Sequence, residues 1–265
     1  MKKTLSAQEL YLKSVRRTNC QVRLWRVLIC VLFLSAWELC ARQEIINSFI
    51  FSSPSRLARC FADLMKNQDL PGHIGITLFE TLASFVLVIA VSLVFAVLLW
   101  KSRTFSRILE PYMVMLNSLP KSALAPLLIV WLGANYKTII LTGMSVAVFG
   151  SVLSLYTGFQ EVDAEKIKLI YTLNGTSRDA LYKVILPANV PNLFSIMKVN
   201  IGLCLVGVII GEFIAAKRGL GYLIIYGSQV FKMDWVILSI LILCITAMAL
   251  YLLLSRLEKA FHRFC

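Results

Sequence analysis

Charged residues are scarce in this chain, and the motifs of many enzyme classes are missing with them. Asp, Glu, Lys and Arg together make up 15% of the 265 residues, and there are only 2 histidines. The sequence contains neither HExxH nor GxSxG, which excludes the usual zinc-peptidase and serine-hydrolase motifs. It also lacks GxxxxGKS and GxxxxGKT, the loops that hold nucleotide phosphates. We therefore expect a protein that is not an enzyme and that binds no cofactor itself.

The cysteines and histidines do not form a metal site or a disulfide framework. The 7 cysteines show no CxxC spacing, and His73 and His262 are far apart in the sequence. The net charge of +13 is explained by basic segments that flank membrane helices and by attraction to anionic lipids. No base-recognition motif accompanies this charge, so we expect no nucleic-acid partner.

Long apolar runs are what the sequence has in abundance. Hydrophobic residues make up 58% of the chain, and the mean hydropathy is +0.77, far from the averages of soluble domains. A membrane-spanning helix needs about 20 mostly apolar residues. Six such runs occur, at residues 25–41, 77–100, 109–132, 138–159, 192–216 and 235–254. We therefore predict an all-α protein that crosses a lipid bilayer about six times.

The distribution of lysine and arginine residues predicts how these runs are oriented across the membrane. They are concentrated before residue 27, after the second run, between the fourth and fifth runs, and at the C-terminus. Because cytoplasmic segments carry the excess of Lys and Arg, both termini are predicted to be cytoplasmic. Residues 1–23 are then a basic cytoplasmic arm, residues 24–72 the first membrane helix with an amphipathic outer helix, and residues 259–265 a cytoplasmic tail.

The third run is interrupted by prolines at positions 111, 120 and 126. Proline removes backbone hydrogen bonds, and a membrane tolerates the break only where protein or a water-filled cavity satisfies the freed carbonyls. The residues around Pro120 are polar: Asn117, Ser118 and Lys121. We predict that this broken helix lines a translocation pathway. The alternative is a kinked packing helix whose lysine reaches toward the headgroups.

A second charge, Glu212, falls inside the fifth run, and charges inside a membrane are candidates for function because they are costly. It follows Gly207 and Gly211, whose spacing favours close helix packing. Lys121 and Glu212 differ in predicted depth by about 10 Å at about 1.5 Å per residue. Both an ion pair and a contact of Lys121 with an anionic solute therefore remain open. The other acidic residues in the runs lie nearer helix ends, where interfacial or helix-terminal roles are expected: Glu38 and Glu80.

Residues 160–190 form the largest predicted cytoplasmic segment. Its first half, DAEKIKLIYTL, has helical periodicity with acidic residues in the first turn. Asn174 and Gly175 favour left-handed backbone angles and end that helix. Thr176 and Asp179 fit a capping box that begins a second helix.

The second helix of this segment has an apolar face formed by Leu181, Val184 and Ile185, and we predict that it ends at Leu186 and Pro187. An exposed helix end with an apolar ridge is suited to a groove on another protein. The alternative is a pair of helices that rests on the lipid headgroups.

Several segments resemble one known family. YKVILPANVP and the later GEFIAAKRGLGYLI are similar to the inner-membrane permease subunits of binding-protein-dependent ABC importers, specifically the sulfonate, nitrate and taurine group. SLPKSALAPLLIVWLG and the SPS of the outer loop resemble the same group. The resemblance runs from about residue 53 to residue 258 and implies the type I ABC importer transmembrane fold, with residues 73–258 as its core.

The cytoplasmic signature of that family is only partly present. It reads Glu-Ala-Ala, three residues, Gly, nine residues, Ile, one residue, Leu-Pro, and Leu186 and Pro187 match its end. The glycine position falls on Asn174, and the Glu-Ala-Ala positions fall on Lys168, Leu169 and Ile170. The resemblance implies that this loop acts as a coupling helix on a separate ATPase.

The resemblance also implies the partners. These are a second permease copy, two cytoplasmic ATPase subunits that bind ATP and Mg, and an extracytoplasmic binding protein. The implied solute is a small organic anion such as a sulfonate, taurine or nitrate, with a vitamin or pyrimidine precursor as the alternative. A secondary transporter or channel that works without ATP is the competing class, and the lack of a convincing internal repeat disfavours it.

Overall fold

The computed structural model describes residues 7–261, and every regular element within that range is a helix. A π-helical turn at Leu181–Ile185 joins two of the helices. In chain order the α-helices are α1 (Ala7–Arg42), α2 (Ser48–Phe51), α3 (Pro54–Asn67), α4 (Leu70–Lys101), α5 (Arg103–Ser118), α6 (Lys121–Leu132), α7 (Tyr136–Gln160), α8 (Ala164–Thr172), α9 (Ser177–Ala180), α10 (Leu186–Ala188), α11 (Val190–Ala215), α12 (Leu220–Gln229) and α13 (Met233–Phe261).

Five of the described helices are long and apolar enough to cross a membrane, namely α4, α7, α11, α13 and the part of α1 from Cys20 to Arg42. The pair α5 and α6 supplies a sixth span if it is counted as one bent element. All six predicted apolar runs are therefore helical, and the prediction of about six spans is confirmed.

The first of two compact units comprises residues up to Asp63. Its helix α1 runs without interruption from Ala7 through the predicted basic arm into the first apolar run, and residues 1–6 lie outside the described range. At the other end of α1, Glu38 accepts hydrogen bonds from the Ser55 hydroxyl at 2.7 Å and from Arg42 at 2.8 Å. Glu38 thus connects α1 to the start of α3, as expected for a helix-terminal residue.

The second unit begins at Leu64, and its centre is the packing of α7 against α4 and α11. Small residues bring α7 and α11 together. A Cβ atom added to Gly207 would lie 2.8 Å from the Cα atom of Gly143, and one added to Gly211 would lie 3.2 Å from the Cα atom of Ile139. The predicted close-packing face of α11 is therefore confirmed.

Some polar side chains of the bundle are paired with groups on neighbouring helices. Ser84 of α4 donates to the backbone carbonyl of Ile140 in α7 at 2.9 Å. Lys198 of α11 forms an ion pair with Glu258 of α13 at 2.5 Å. In an apolar medium such contacts remove the cost of leaving polar groups unpaired.

The third predicted span breaks at its middle proline. Helices α5 and α6 meet at an angle of 96°, with Leu119 and Pro120 between them in extended backbone. Pro111 and Pro126 lie inside the two helices. The Lys121 ammonium group donates to the carbonyl of Asn117, which the break leaves without its helical partner.

The segment between α7 and α11 has the predicted helix, elbow, helix form. Asn174 takes the left-handed conformation, with φ 57°. Gly175 is needed for a different reason, because a Cβ atom there would lie 2.8 Å from the carbonyl oxygen of Ile170. The second helix ends at Asn189 rather than at Pro187, since the π-helical turn accommodates the proline and α10 continues to Ala188.

We predict that Gly207→Ala destabilises the protein by about 1–3 kcal/mol, because the added methyl group meets the backbone of Gly143. Gly202→Ala on the same helix is the matched control, since no described atom beyond the helix's own adjacent turns lies within 4 Å of its added Cβ position. Thermal unfolding of the purified protein in detergent measures both. Equal melting temperatures for the two variants would contradict the proposed close contact.

Candidate functional site

A polar cavity of about 420 Å³ lies between α5, α7 and α11. Its apolar lining comes from α7 and α11, and its polar groups are amides and hydroxyls. The polar lining residues are Asn117, Ser151, Ser154, Asn192, Ser195 and Asn200.

Two of the asparagines contribute differently to this cavity. Asn117, near the end of α5, lies against Gly150 of α7, where an added Cβ atom would be 3.2 Å from the Asn117 Oδ1 atom. Asn200 of α11 is 3% exposed, and its Nδ2 atom has no hydrogen-bond partner. A buried amide donor without a partner is unusual in a folded protein and requires an explanation.

A second cavity of about 350 Å³ extends the first toward the end of α7. The two share Ser154 and Asn192, and the second reaches Thr157 and Glu161. The Asn192 side chain packs directly against Gly158, and a Cβ atom on residue 158 would overlap this side chain. Together the cavities form a polar route along the contact between α7 and α11.

The pathway residues predicted from the sequence are not all brought together. Asn117 lines the first cavity, whereas Ser118, Pro120 and Lys121 line neither cavity. The Ser118 hydroxyl donates to the carbonyl of Val114, one turn earlier in α5. Lys121 contacts the end of α5, which is a favourable position for a cation because of the helix dipole.

Glu212 lies in a separate polar cluster at the other end of α11. Its carboxylate accepts hydrogen bonds from the Thr77 hydroxyl at 2.7 Å and from the Gly221 amide at 2.6 Å. The Thr77 oxygen in turn accepts from the Leu220 amide at 2.8 Å. Among the described residues, Lys121 and Glu212 form no ion pair with each other, so that alternative is not realised in this structure.

Glu80 belongs to the same cluster, which corrects the expectation of an interfacial or helix-terminal position. It is buried beside Glu212, ten residues into α4. The loop after α11 is fitted closely to this cluster. Gly219 has φ 120°, and a Cβ atom there would overlap the Glu212 carboxylate, so only glycine is compatible with the site.

The elbow between α7 and α11 has the predicted cap. The Asp179 carboxylate accepts from the Thr176 amide at 2.9 Å, and the Asp179 amide donates to the Thr176 hydroxyl at 3.3 Å. The hydrogen bond from Lys183, followed by those from Thr176, holds the pKa of the Asp179 carboxyl well below its usual range.

The apolar ridge predicted for the second helix faces inward instead. Leu181 and Ile185 are buried in the hydrophobic core of the second unit, and Val184 is half-buried. The prediction of an exposed ridge was therefore wrong for Leu181 and Ile185, because the short helix packs its apolar face on its own bundle. Leu186 is half-buried and Pro187 is exposed.

Other apolar side chains of the elbow are exposed, and the sequence reasoning did not select them as a contact surface. They are Leu169, Tyr171, Leu173 and Tyr182, and we call them the elbow surface. Leu173 is 72% exposed and Tyr182 is 68% exposed.

Residues 89–264 match the model of a family described as the binding-protein-dependent transport system inner membrane component. The chain belongs to this family. It is therefore an ABC importer permease subunit, a multi-pass membrane protein that serves in transport and is not an enzyme.

Curated relatives of this permease include transport permeases of several bacteria. A probable ABC transporter permease protein of Haemophilus influenzae is 28% identical over 92% of this chain and 98% of its own length. A putative aliphatic sulfonates transport permease of Bacillus subtilis is 24% identical over 83% of this chain and 79% of its own. A formylaminopyrimidine transport permease of Halalkalibacterium halodurans is 26% identical over 74% of this chain and 77% of its own.

The fold of the permease is also found in solved transporters. A bacterial ABC transporter involved in the import of the acidic polysaccharide alginate superimposes with a TM-score of 0.65, at 12% identity, over 92% of this chain and 99% of that chain. The resemblance noted from the sequence and the all-α fold of ABC importer permeases are both confirmed.

We predict that the cap of the elbow weakens in acid. The pKa of Asp179 is lower in the folded protein than in the unfolded chain, so its stabilisation is present above the ordinary aspartate range of about 4 and is lost as the pH falls below it. Asp179→Ala should lower the hydrogen-exchange protection of residues 177–188 at neutral pH, and wild-type protein should lose the same protection in acid. The amides of α8 in the same sample are the control, and unchanged protection in the variant would refute the role of the cap.

Proposed function

We propose that this permease carries a small organic solute with a sulfonate-type head group into the cell, driven by ATP that separate chains hydrolyse. The observation that carries the proposal is the polar route along α7 and α11, from Asn200 to Glu161 at the end of α7. A route lined by amides and hydroxyls inside an apolar bundle is suited to the passage of a polar solute.

The sulfonate class is supported by relatives and by the lining chemistry. One relative is named for aliphatic sulfonates and another, from Escherichia coli, for taurine. Amide and hydroxyl donors suit the acceptor oxygens of a sulfonate, although no cationic side chain is found among the described residues that line the two cavities. A pyrimidine precursor is the second candidate, since a relative named for formylaminopyrimidine is equally similar.

The permease works in this proposal as part of a larger assembly. Asn117, Ser154 and Ser195 line the route and are exposed in the single chain. A second permease copy would cover them and complete the pathway, so we propose a homodimer. Two cytoplasmic ATPase subunits that bind ATP and Mg, and an extracytoplasmic binding protein, complete the importer, and the apolar outer surfaces face the lipid bilayer.

The elbow between α7 and α11 couples the permease to the ATPase. The elbow surface provides exposed Leu173 and Tyr182 as contacts for the ATPase, while buried Leu181 and Ile185 fix the second helix to the bundle. Asn174, Gly175, Thr176 and Asp179 set the turn between the two helices. When ATP draws the ATPases together, the attached elbows move with them, and α7 and α11 switch the route from inward-facing to outward-facing.

Uptake into proteoliposomes tests the transport proposal. The permease is reconstituted with its own ATPase and binding protein, and radiolabelled taurine is supplied outside. We expect uptake that requires both ATP and the binding protein. Uptake that continues without ATP would contradict the importer mechanism and favour a secondary transporter or channel, whereas ATP-dependent uptake of formylaminopyrimidine alone would overturn the sulfonate class.

Substitution of the elbow surface tests the coupling proposal. Leu173→Ser should lower the ATPase activity stimulated by the loaded binding protein at least fivefold, because it removes an exposed apolar contact for the ATPase. Phe105→Ser, at an exposed position near the start of α5, is the matched control and should leave the stimulation within twofold of wild type. Equal stimulation in wild type and Leu173→Ser would reject the elbow surface as the contact.

A further inference from the structure

Three asparagines line the polar route. Asn200 is the one among them that is both deeply buried and left with an unused amide donor. Its Nδ2 atom has no hydrogen-bond partner, and the side chain lines the larger cavity. Leaving a buried donor unpaired costs about 1–3 kcal/mol. A solute group that enters the cavity, and that a turn of the Asn200 side chain brings within hydrogen-bond distance of Nδ2, removes this cost.

The position of Asn200 along α11 agrees with a solute contact inside the membrane. It is ten residues beyond the first residue of α11, Val190, which corresponds to about 15 Å at about 1.5 Å per residue. The remaining part of α11 extends from Asn200 to Ala215, which corresponds to about 22 Å at about 1.5 Å per residue. Asn200 therefore lies near the middle of the spanning helix, away from both ends.

The rest of the cavity wall indicates what kind of group would bind. Among the described residues that line the two cavities, Glu161 is the single ionisable one, and it lies at the end of α7. The Ser151 hydroxyl already donates to the carbonyl of Ala147 at 2.7 Å. The wall around Asn200 therefore offers a neutral donor without a fixed positive charge.

Neutral donors fit a solute that must pass rather than stay. A pathway has to bind its solute well enough to admit it and weakly enough to release it. A buried cation facing a sulfonate would form a strong ion pair, whereas an amide N–H group gives a hydrogen bond of modest strength.

We propose that Asn200 is a solute-binding residue of the pathway, whose Nδ2–H group donates a hydrogen bond to an oxygen of a passing sulfonate-type head group. The proposal rests on the proposed transport function and adds the residue and the chemical group that it recognises. Asn117 and Asn192 contribute further amides to the same wall, on α5 and at the start of α11.

The test separates solute contact from structural support. Wild type and Asn200→Asp are reconstituted with the ATPase and binding protein, and both taurine uptake and ATP hydrolysis stimulated by the loaded binding protein are measured. Aspartate has nearly the same shape as asparagine but removes the donor. We expect taurine uptake per ATP hydrolysed to fall about tenfold, while stimulated ATP hydrolysis stays within twofold of wild type.

Asn200→Ser keeps a small donor and should retain at least one third of the wild-type uptake per ATP. Val206→Ala, at an exposed position of α11 that lines neither cavity, is the matched control and should behave as wild type. If uptake and ATP hydrolysis fall together in Asn200→Asp, or if uptake per ATP is unchanged, Asn200 is not a solute contact. If wild type shows no ATP-dependent uptake of taurine, the proposed solute class fails first, and this assignment fails with it.

Discussion

The close contact between α7 and α11 is the constraint on which the rest of the structure depends. Inside a membrane, helices gain little from hydrophobic association, so van der Waals packing and hydrogen bonds must hold them together. Gly143 and Gly207 allow the two backbones to approach, and the helices stay in contact along much of their length. This contact fixes the wall of the polar route and the spacing of the elbow that joins the two helices.

The buried polar groups of the bundle fall into two kinds. Glu212 has its oxygens occupied by Thr77 and Gly221, and Gly219 leaves no free space beside it. These two hydrogen bonds of Glu212 hold the loop after α11 against α4, while the Oε2 atom of the neighbouring Glu80 has no hydrogen-bond partner among the described residues. Asn200, in contrast, lines an open cavity with an unpaired donor. The position of this unpaired donor in a cavity wall, and not the missing partner alone, makes Asn200 a candidate for solute contact.

The elbow combines a rigid attachment with an exposed surface. Leu181 and Ile185 bury its second helix in the core, and the cap at Thr176 and Asp179 fixes the turn that precedes it. Leu173 and Tyr182 remain outside. A displacement of the elbow surface is therefore transmitted through packed side chains to α7 and α11, because a close-packed core deforms little.

The sequence by itself determined the features that depend on neighbouring residues. Apolar length predicted the six spans, the three prolines of the third run predicted a broken helix, and Thr176 with Asp179 predicted the cap. Helix length, proline geometry and capping are local effects. Only the tertiary structure decided which apolar face of the elbow is buried and that Glu212 lies beside Glu80 rather than Lys121. In a membrane protein, side chains that face lipid and side chains that face the core are both apolar, so hydropathy does not distinguish them. Contacts between distant residues, including the wall around Asn200, exist only once the helices are packed.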